Sequence, residues 1–263
     1  MGRGTENMGK REIWGELREK IWNIGPLCLD QCGEIINGLK SFKCSGEWLE
    51  GKLKQGKGVL YVAFGSEAEI SSEQIKEIEI GLEESGVNFL WTKKGQDKDK
   101  GFEERVKDRG IIVREWVNQW EVLKHEAVKG FLSHCGWNSV VESLSCGVPI
   151  LTYPLMVEQS LNARMVVDEL TAGMRPSKGP SSMKGSVKGK VLKRFVRELM
   201  EGEKGKEVRK KAMEISEMAK KAMAENGSSW MNLELFVQEM CNKSPLLLHT
   251  DLPAFNGRGI NYT

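Results

Sequence analysis

An α/β fold built on a parallel, doubly wound sheet is predicted by three features of this 263-residue sequence. Short continuous apolar runs recur at residues 59–64, 87–91, 111–113, 128–132 and 148–152, the pattern expected of strands buried on both faces. The segments between them are long enough for crossovers, and residues 72–82 and 138–146 place apolar side chains at helical spacing. Glycines or prolines punctuate several run ends, as at Gly65, Gly86 and Pro154.

Taken in order, residues 1–57 read as a lead-in and interdomain segment, broken by glycines and Pro26, with apolar pieces at 22–29 and 48–53. The first strand, 59–64, runs into Gly65-Ser66. A helix follows from Ser71 or Ser72, with Glu73 and Gln74 in a capped first turn and Ile75, Ile78 and Leu82 on one face. Gly86 stops it and residues 87–91 form the next strand. Charge dominates 93–109, which is read as a solvent-facing loop with a helical turn. After the strands and helix of 111–152, residues 158–170 are helical, with Leu161, Met165 and Val166 inward. A turn-rich break at 173–183 precedes three helices, 187–200, 203–224 and 229–240, the last two parted by Asn226-Gly227. Residues 58–241 thus form the main domain, and 242–263 an irregular tail.

Composition excludes several classes. Lys plus Arg number 39 against 37 Asp plus Glu, for a net charge of +2, too balanced for a nucleic-acid surface. The basic stretch 184–221 is interleaved with Glu and has Phe195 as its only aromatic, so it reads as a solvated helical face rather than an RNA platform. Cys28, Cys32, Cys44, Cys135, Cys146 and Cys241 make no CxxC pair, and His125, His134 and His249 do not complete a zinc-ligand pattern, so no metal is expected. The charged first twenty residues lack a signal-peptide core, and no uncharged apolar run reaches the ~18 residues that span a bilayer. The expectation is a soluble, cytoplasmic protein without stable membrane insertion.

Chemistry concentrates where residues 131–139, FLSHCGWNS, run from strand through a glycine turn into a helix. Unpaired amides at a helix start attract anions, and Asn138 and Ser139 add uncharged donors. His134, at the strand exit, can donate to an anionic oxygen. These features form a diphosphate cradle that needs neither a Walker lysine nor a metal, although Asn and Ser at a helix start also serve simply as caps.

The longer stretch Trp116 to Gln159, WVNQWEVLKHEAVKGFLSHCGWNSVVESLSCGVPILTYPLMVEQ, resembles the forty-four-residue signature of plant secondary-product UDP-glycosyltransferases. NIGPLC at 23–28, VLYVAFGS at 59–66, GVNFLW at 86–91, GFEERV at 101–106 and SLNARMV at 160–166 are also similar to that family. The resemblance covers most of residues 20–241. It implies the GT-B arrangement of two facing Rossmann-like domains, of which this sequence matches only the C-terminal, donor-binding half.

By that resemblance Trp116 stacks on uracil and the Val117 backbone reads its edge. Glu142 accepts from the ribose hydroxyls; His134, Asn138, Ser139 and Ser66 hold the diphosphate at the helix that Gly136 opens. Trp137, Glu158 and Gln159 hold the sugar. An indole suits a flat base, and a carboxylate suits hydroxyls rather than a diphosphate. Glu142 lies one helical turn beyond Asn138 on the same face. Pro149 and Pro154 shape loops. Asn118 stands where the family has proline, freeing an amide and loosening the base-binding loop, and Trp120 packs. Glu158 replaces the family's more frequent Asp, and Gln159 accompanies glucose, so UDP-glucose is the expected donor, with no permanently bound cofactor.

The family takes its catalytic histidine and the aspartate that orients it from the first domain, to which no segment here corresponds. No catalytic residue is therefore assigned in this chain. The expectation is a donor half that binds UDP-sugar and, joined by a first domain, supports inverting transfer to a phenolic or flavonoid-like hydroxyl; alone it binds donor more readily than it glycosylates. Two other classes stand beside it. One is a noncatalytic UDP-sugar-binding or protein-docking module. The other is a general dinucleotide binder, against which AFGSEAEIS at 63–71 lacks a GxGxxG turn.

Overall fold

The computed structural model describes residues 23–30, 40–65, 70–93, 100–176 and 187–243. Among them one compact unit spans Cys28–Lys220, and a second brings together residues 23–27 and 221–243. In chain order the elements are α1 (Lys40–Lys54), β1 (Val59–Ala63), α2 (Ser72–Ser85), β2 (Asn88–Thr92), α3 (Lys100–Val106), β3 (Gly110–Val113), α4 (Gln119–Lys124), β4 (Val128–Ser133), α5 (Trp137–Ser145), β5 (Ile150–Thr152), α6 (Val157–Arg164), a π-helical turn (Met165–Glu169), β6 (Gly173–Met174), α7 (Gly189–Glu201), α8 (Glu203–Met223) and α9 (Ser228–Lys243).

Six strands pair in parallel in the order β3-β2-β1-β4-β5-β6. The α/β doubly wound sheet that the apolar runs predict is therefore present. Period-two alternation sends neighbouring side chains to opposite faces. On β1, Leu60 and Val62 enter one apolar cluster with Ile78, Leu82, Leu192 and Leu199, while Val59, Tyr61 and Ala63 enter another with Leu49, Val122 and Phe131. A third cluster, around Cys135, Val140, Ile150 and Ala163, lies beneath α5 and α6.

Local chemistry sets the boundaries of α2. Ser71 is its N-cap: the Gln74 amide donates to the Ser71 hydroxyl at 3.3 Å and the Ser71 amide to Gln74 Oε1 at 3.1 Å. Gly86, at φ +74°, ends it in the left-handed conformation that glycine adopts without penalty.

Several segments differ from the sequence expectation. Within the stretch read as a lead-in, α1 buries Leu49 completely and sends Lys52 Nζ to the Asp108 carbonyl at 2.8 Å. The charged 93–109 segment is more than a solvated loop, because α3 turns Phe102 and Val106 into the core. The turn-rich break contains β6, too short to show a period. Leu161 is not inward: it is 67% exposed, while Gln159 and Ala163, one turn apart, occupy the buried face of α6. Met165 is partly buried and Val166 is fully buried. Most of the tail expected at 242–263 lies outside the described residues, and α9 continues to Lys243. In the second unit, the Ser229 hydroxyl donates to the Gly25 carbonyl at 2.6 Å and the Asn232 amide to that of Asn23 at 3.0 Å.

Helices α2 and α7 meet at Gly81, where an added Cβ would lie 2.9 Å from Leu192 Cβ, Cγ and Cδ2. Overpacking costs roughly 1–3 kcal/mol, against roughly 1 kcal/mol gained by replacing a mid-helix glycine. Gly81→Ala is therefore expected to lower stability in urea by about 1 kcal/mol, and Leu192→Ala by about 2–5 kcal/mol. In the double variant the new methyl enters the vacated space, so the combined loss measured by urea unfolding should fall short of the sum. Additive losses would show that the contact does not limit packing.

Candidate functional site

Strand order reverses between β1 and β4, and such a switch point leaves a crevice beyond the carboxyl ends of the strands. A cleft of about 730 Å³ occupies it. Pairing of Ala63 with Ser133 brings Gly65, two residues past Ala63, against His134, the residue after Ser133. The His134 imidazole lies where a Cβ on either neighbouring glycine would be: 2.8 Å from a Cβ at Gly65 and 2.6 Å from one at Gly136. Both positions are glycine because the ring fills that space.

Beyond His134 the chain turns through Cys135, at φ +64°, into α5. Gly136 is the N-cap and supplies no side-chain hydrogen bond, and the first turn holds no acidic residue. The Trp137, Asn138 and Ser139 amides have no intrahelical acceptor, and no nearby carboxylate on the helix competes for the positive end of its dipole. Cys135 is no nucleophile, since burial pushes its thiol up to about 12.

Of the candidates described, Trp116, Val117, His134, Gly136, Trp137, Asn138, Ser139, Glu158 and Gln159 line the cleft. Ser66 lies outside the described residues. Trp116 and Trp137 are 62% and 55% exposed, large apolar surfaces with room for a flat ligand. Glu142 is half-buried and is not among the lining residues. Its carboxylate accepts from Gln119 Nε2 at 2.7 Å, and the same nitrogen donates to Ser139 Oγ at 3.0 Å. Burial pushes the Glu142 carboxyl above the usual carboxylate range, and the Gln119 hydrogen bond partly offsets this.

Gln159 is 4% exposed. Its Oε1 accepts from the Leu155 and Met156 amides at 2.9 and 3.0 Å, so this oxygen caps α6 and only the side-chain nitrogen remains for a ligand. Asn118 does more than free an amide: its side chain caps α4 by accepting from the Trp120 amide at 3.1 Å, which offsets the loosening expected from the loss of proline. Gln119, Tyr61, Thr92 and Lys93 also line the cleft and were not singled out from the sequence. Gln119 sits inside the signature stretch, where a carboxamide three residues after Trp116 was the available signal. The other three reach the cleft because β1 and β2 end there. Lys93 is already committed to Glu79, 3.0 Å away. Among the described residues no three His, Cys, Asp or Glu side chains converge as metal ligands, and no helix is long and apolar enough to cross a membrane.

The fold is thus a Rossmann-like α/β half with its crevice at the strand-order reversal. The chain belongs to the UDP-glucoronosyl and UDP-glucosyl transferase family, whose model matches residues 5–221. It is 49% identical to UDP-glycosyltransferase 90A1 of Arabidopsis thaliana over 85% of this chain and 47% of that protein. It is 51% identical to UDP-glycosyltransferase 90A2 of the same plant over 85% of this chain and 48% of that protein. Among solved structures it is similar to Phytolacca americana UGT2 complexed with UDP-2fluoro-glucose and pterostilbene, with 38% identity, a TM-score of 0.72, and coverage of 84% of this chain and 48% of that one. Medicago truncatula UGT71G1 complexed with UDP-glucose gives 33% identity and a TM-score of 0.74 over 88% and 51%. The chain spans about half the length of the curated relatives it matches, as the resemblance to one GT-B half implies.

Desolvation holds the His134 imidazole below its ordinary pKa of 6.5, while the backbone at Ala63 and the Glu158 carboxylate pull partly upward. The ring is therefore neutral at pH 7, and the stability linked to it is present above pH 6.5 and lost as pH falls through the lower folded value. An NMR titration should place its midpoint below 6.5, and Glu158→Gln should move it lower still. An upward move would show that the Glu158 carboxylate does not oppose the effect of burial.

Proposed function

We propose that the cleft binds the donor of a glycosyl transfer, a UDP-sugar, with UDP-glucose as the preferred ligand. The observation that carries this reading is that one cleft joins an exposed indole at Trp116, the open amide start of α5 and the polar pair Glu158 and Gln159. Trp116 stacks on uracil beside the Val117 backbone. The α5 amides, Asn138, Ser139 and the neutral His134 imidazole hold the diphosphate, with Ser66 as a further donor. Glu142 accepts from the ribose once Gln119 yields it, and Trp137, Glu158 and the Gln159 amide nitrogen hold the sugar. The complexes of Phytolacca americana UGT2 with UDP-2fluoro-glucose and of Medicago truncatula UGT71G1 with UDP-glucose support this ligand class.

In the full reaction, with an acceptor pocket and general base supplied by a first domain, the oxygen of a phenolic or flavonoid-like hydroxyl attacks the anomeric carbon from the face opposite UDP. The bond from that carbon to the diphosphate oxygen breaks, the hydroxyl proton passes to the base, and the configuration inverts. This chain's part is electrostatic: the α5 amides and His134 face the oxygen on which negative charge accumulates. Free thiols at Cys135, Cys146 and Cys241 agree with a cytoplasmic setting.

Calorimetry with UDP, UDP-glucose, ADP and pyrophosphate tests the reading. UDP should bind more tightly than ADP. Glu142→Ala should weaken UDP by roughly tenfold, the worth of a lost charge-assisted hydrogen bond, and pyrophosphate much less. ADP binding as tight as UDP would sink the uracil assignment. Gln159→Glu keeps an oxygen to cap α6 but removes the amide donor, so it should weaken UDP-glucose more than UDP. Equal weakening would leave Gln159 as a cap alone.

A further inference from the structure

Cys135 is an unusual residue at which to turn a chain. Its φ of +64° lies in the left-handed region that favours glycine, yet its side chain is fully buried. Such a conformation persists only where the surroundings hold it. From within the turn, the Cys135 amide donates to Ser133 Oγ at 3.1 Å and its thiol to the Ser133 carbonyl at 3.5 Å. From outside, Asn162 Nδ2 donates to the Cys135 carbonyl at 3.0 Å. Asn162 belongs to α6 and lies one helical turn past Glu158, on the same face. It therefore fastens the turn that presents His134 and the α5 amides to the helix that carries Glu158 and Gln159.

On the donor-binding reading above, we propose that Asn162 is a positioning residue that couples the diphosphate side of the cleft to its sugar side. Asn162 is not among the residues that line the cleft. It holds the Cys135 carbonyl so that the left-handed turn keeps the Trp137, Asn138 and Ser139 amides directed at one point, and it sets the distance from that point to the first turn of α6. The carboxamide is suited to this because it donates to a carbonyl without introducing charge beside a diphosphate. Aspartate has the same shape, no donor when ionised, and a charge that repels both the carbonyl and the ligand.

Asn162→Asp and Asn162→Ala in the 263-residue chain test this, with UDP and UDP-glucose binding measured by calorimetry and folding by urea unfolding. UDP affinity should fall roughly five- to tenfold in Asn162→Ala, the range of one hydrogen bond, and further in Asn162→Asp. The preference for UDP-glucose over UDP should shrink in both, which loss of a purely diphosphate-side contact would not cause. Adding Cys135→Gly to Asn162→Ala should recover part of the lost affinity, because glycine adopts the left-handed turn without a tether. Folded variants that keep wild-type affinity and preference would overturn the proposal, as would loss of folding in both single variants and the double, which would make Asn162 a structural residue. A wild-type chain that binds neither ligand would instead refute the donor-binding reading itself.

Discussion

Parallel pairing of β1 with β4 is the constraint on which the site depends. These strands are separated in sequence by two other strands and their crossovers, yet they lie side by side, with Tyr61 and Phe131 stacked at a ring separation of 4.9 Å. Because the chain leaves this pair toward opposite edges of the sheet, neither crossover covers the carboxyl ends, and a crevice remains. The register then decides what faces the crevice. Ala63 opposite Ser133 sets Gly65 beside His134, and a slip of one residue would send every side chain of the strand to the opposite face of the sheet.

Close packing at the crevice has electrical consequences. The imidazole is wedged where neither Gly65 nor Gly136 could carry a side chain, and its Nδ1 is buried without a hydrogen-bond partner. Burial therefore favours the neutral ring. Lys93 and Arg114 line the cleft but are paired with Glu79 and Glu103, and Glu142 is drawn back behind Gln119. What the cleft offers an anion is accordingly amides and neutral donors on α5, whose geometry is fixed before a ligand arrives, rather than mobile cations. Preorganised dipoles of this kind need little rearrangement as charge develops on a bound group.

The stabilising contacts lie largely away from this chemistry. Apolar side chains from alternate positions of β1, β2 and β4 fill both faces of the sheet, and α2 packs closely on α7. The charged helix α8 carries i,i+3 pairs such as Lys206 with Glu203 and Lys211 with Glu214; these are exposed and contribute little individually. Four of the seven basic residues of that helix are paired with its own glutamates. The cleft, by contrast, leaves the indoles of Trp116 and Trp137 exposed, flat apolar surface on which a ring can stack.

Residues close in sequence determined much of this protein. The strands at β1, β2, β3 and β4, the start of α2 at Ser71, its stop at Gly86 and the strand-turn-helix at His134 to Ser139 were legible because period, caps and turn chemistry are written within a few neighbouring positions. The order of the signature stretch likewise grouped Trp116, His134, Asn138 and Glu158, all of which line one cleft. Tertiary structure decided the rest. Helix α1 has a weak pattern and gains its place by burying Leu49; α3 gains its own through Phe102 and Val106; β6 has two residues and no period to display. The bridge from Gln119 to Ser139 and Glu142, the capping role of the Gln159 oxygen and the tie from Asn162 to Cys135 were equally invisible. A polar side chain does not encode its partner locally. Which donor meets which acceptor is settled only when the sheet has chosen its neighbours and the helices have packed, since that choice is made by burial summed over the whole core.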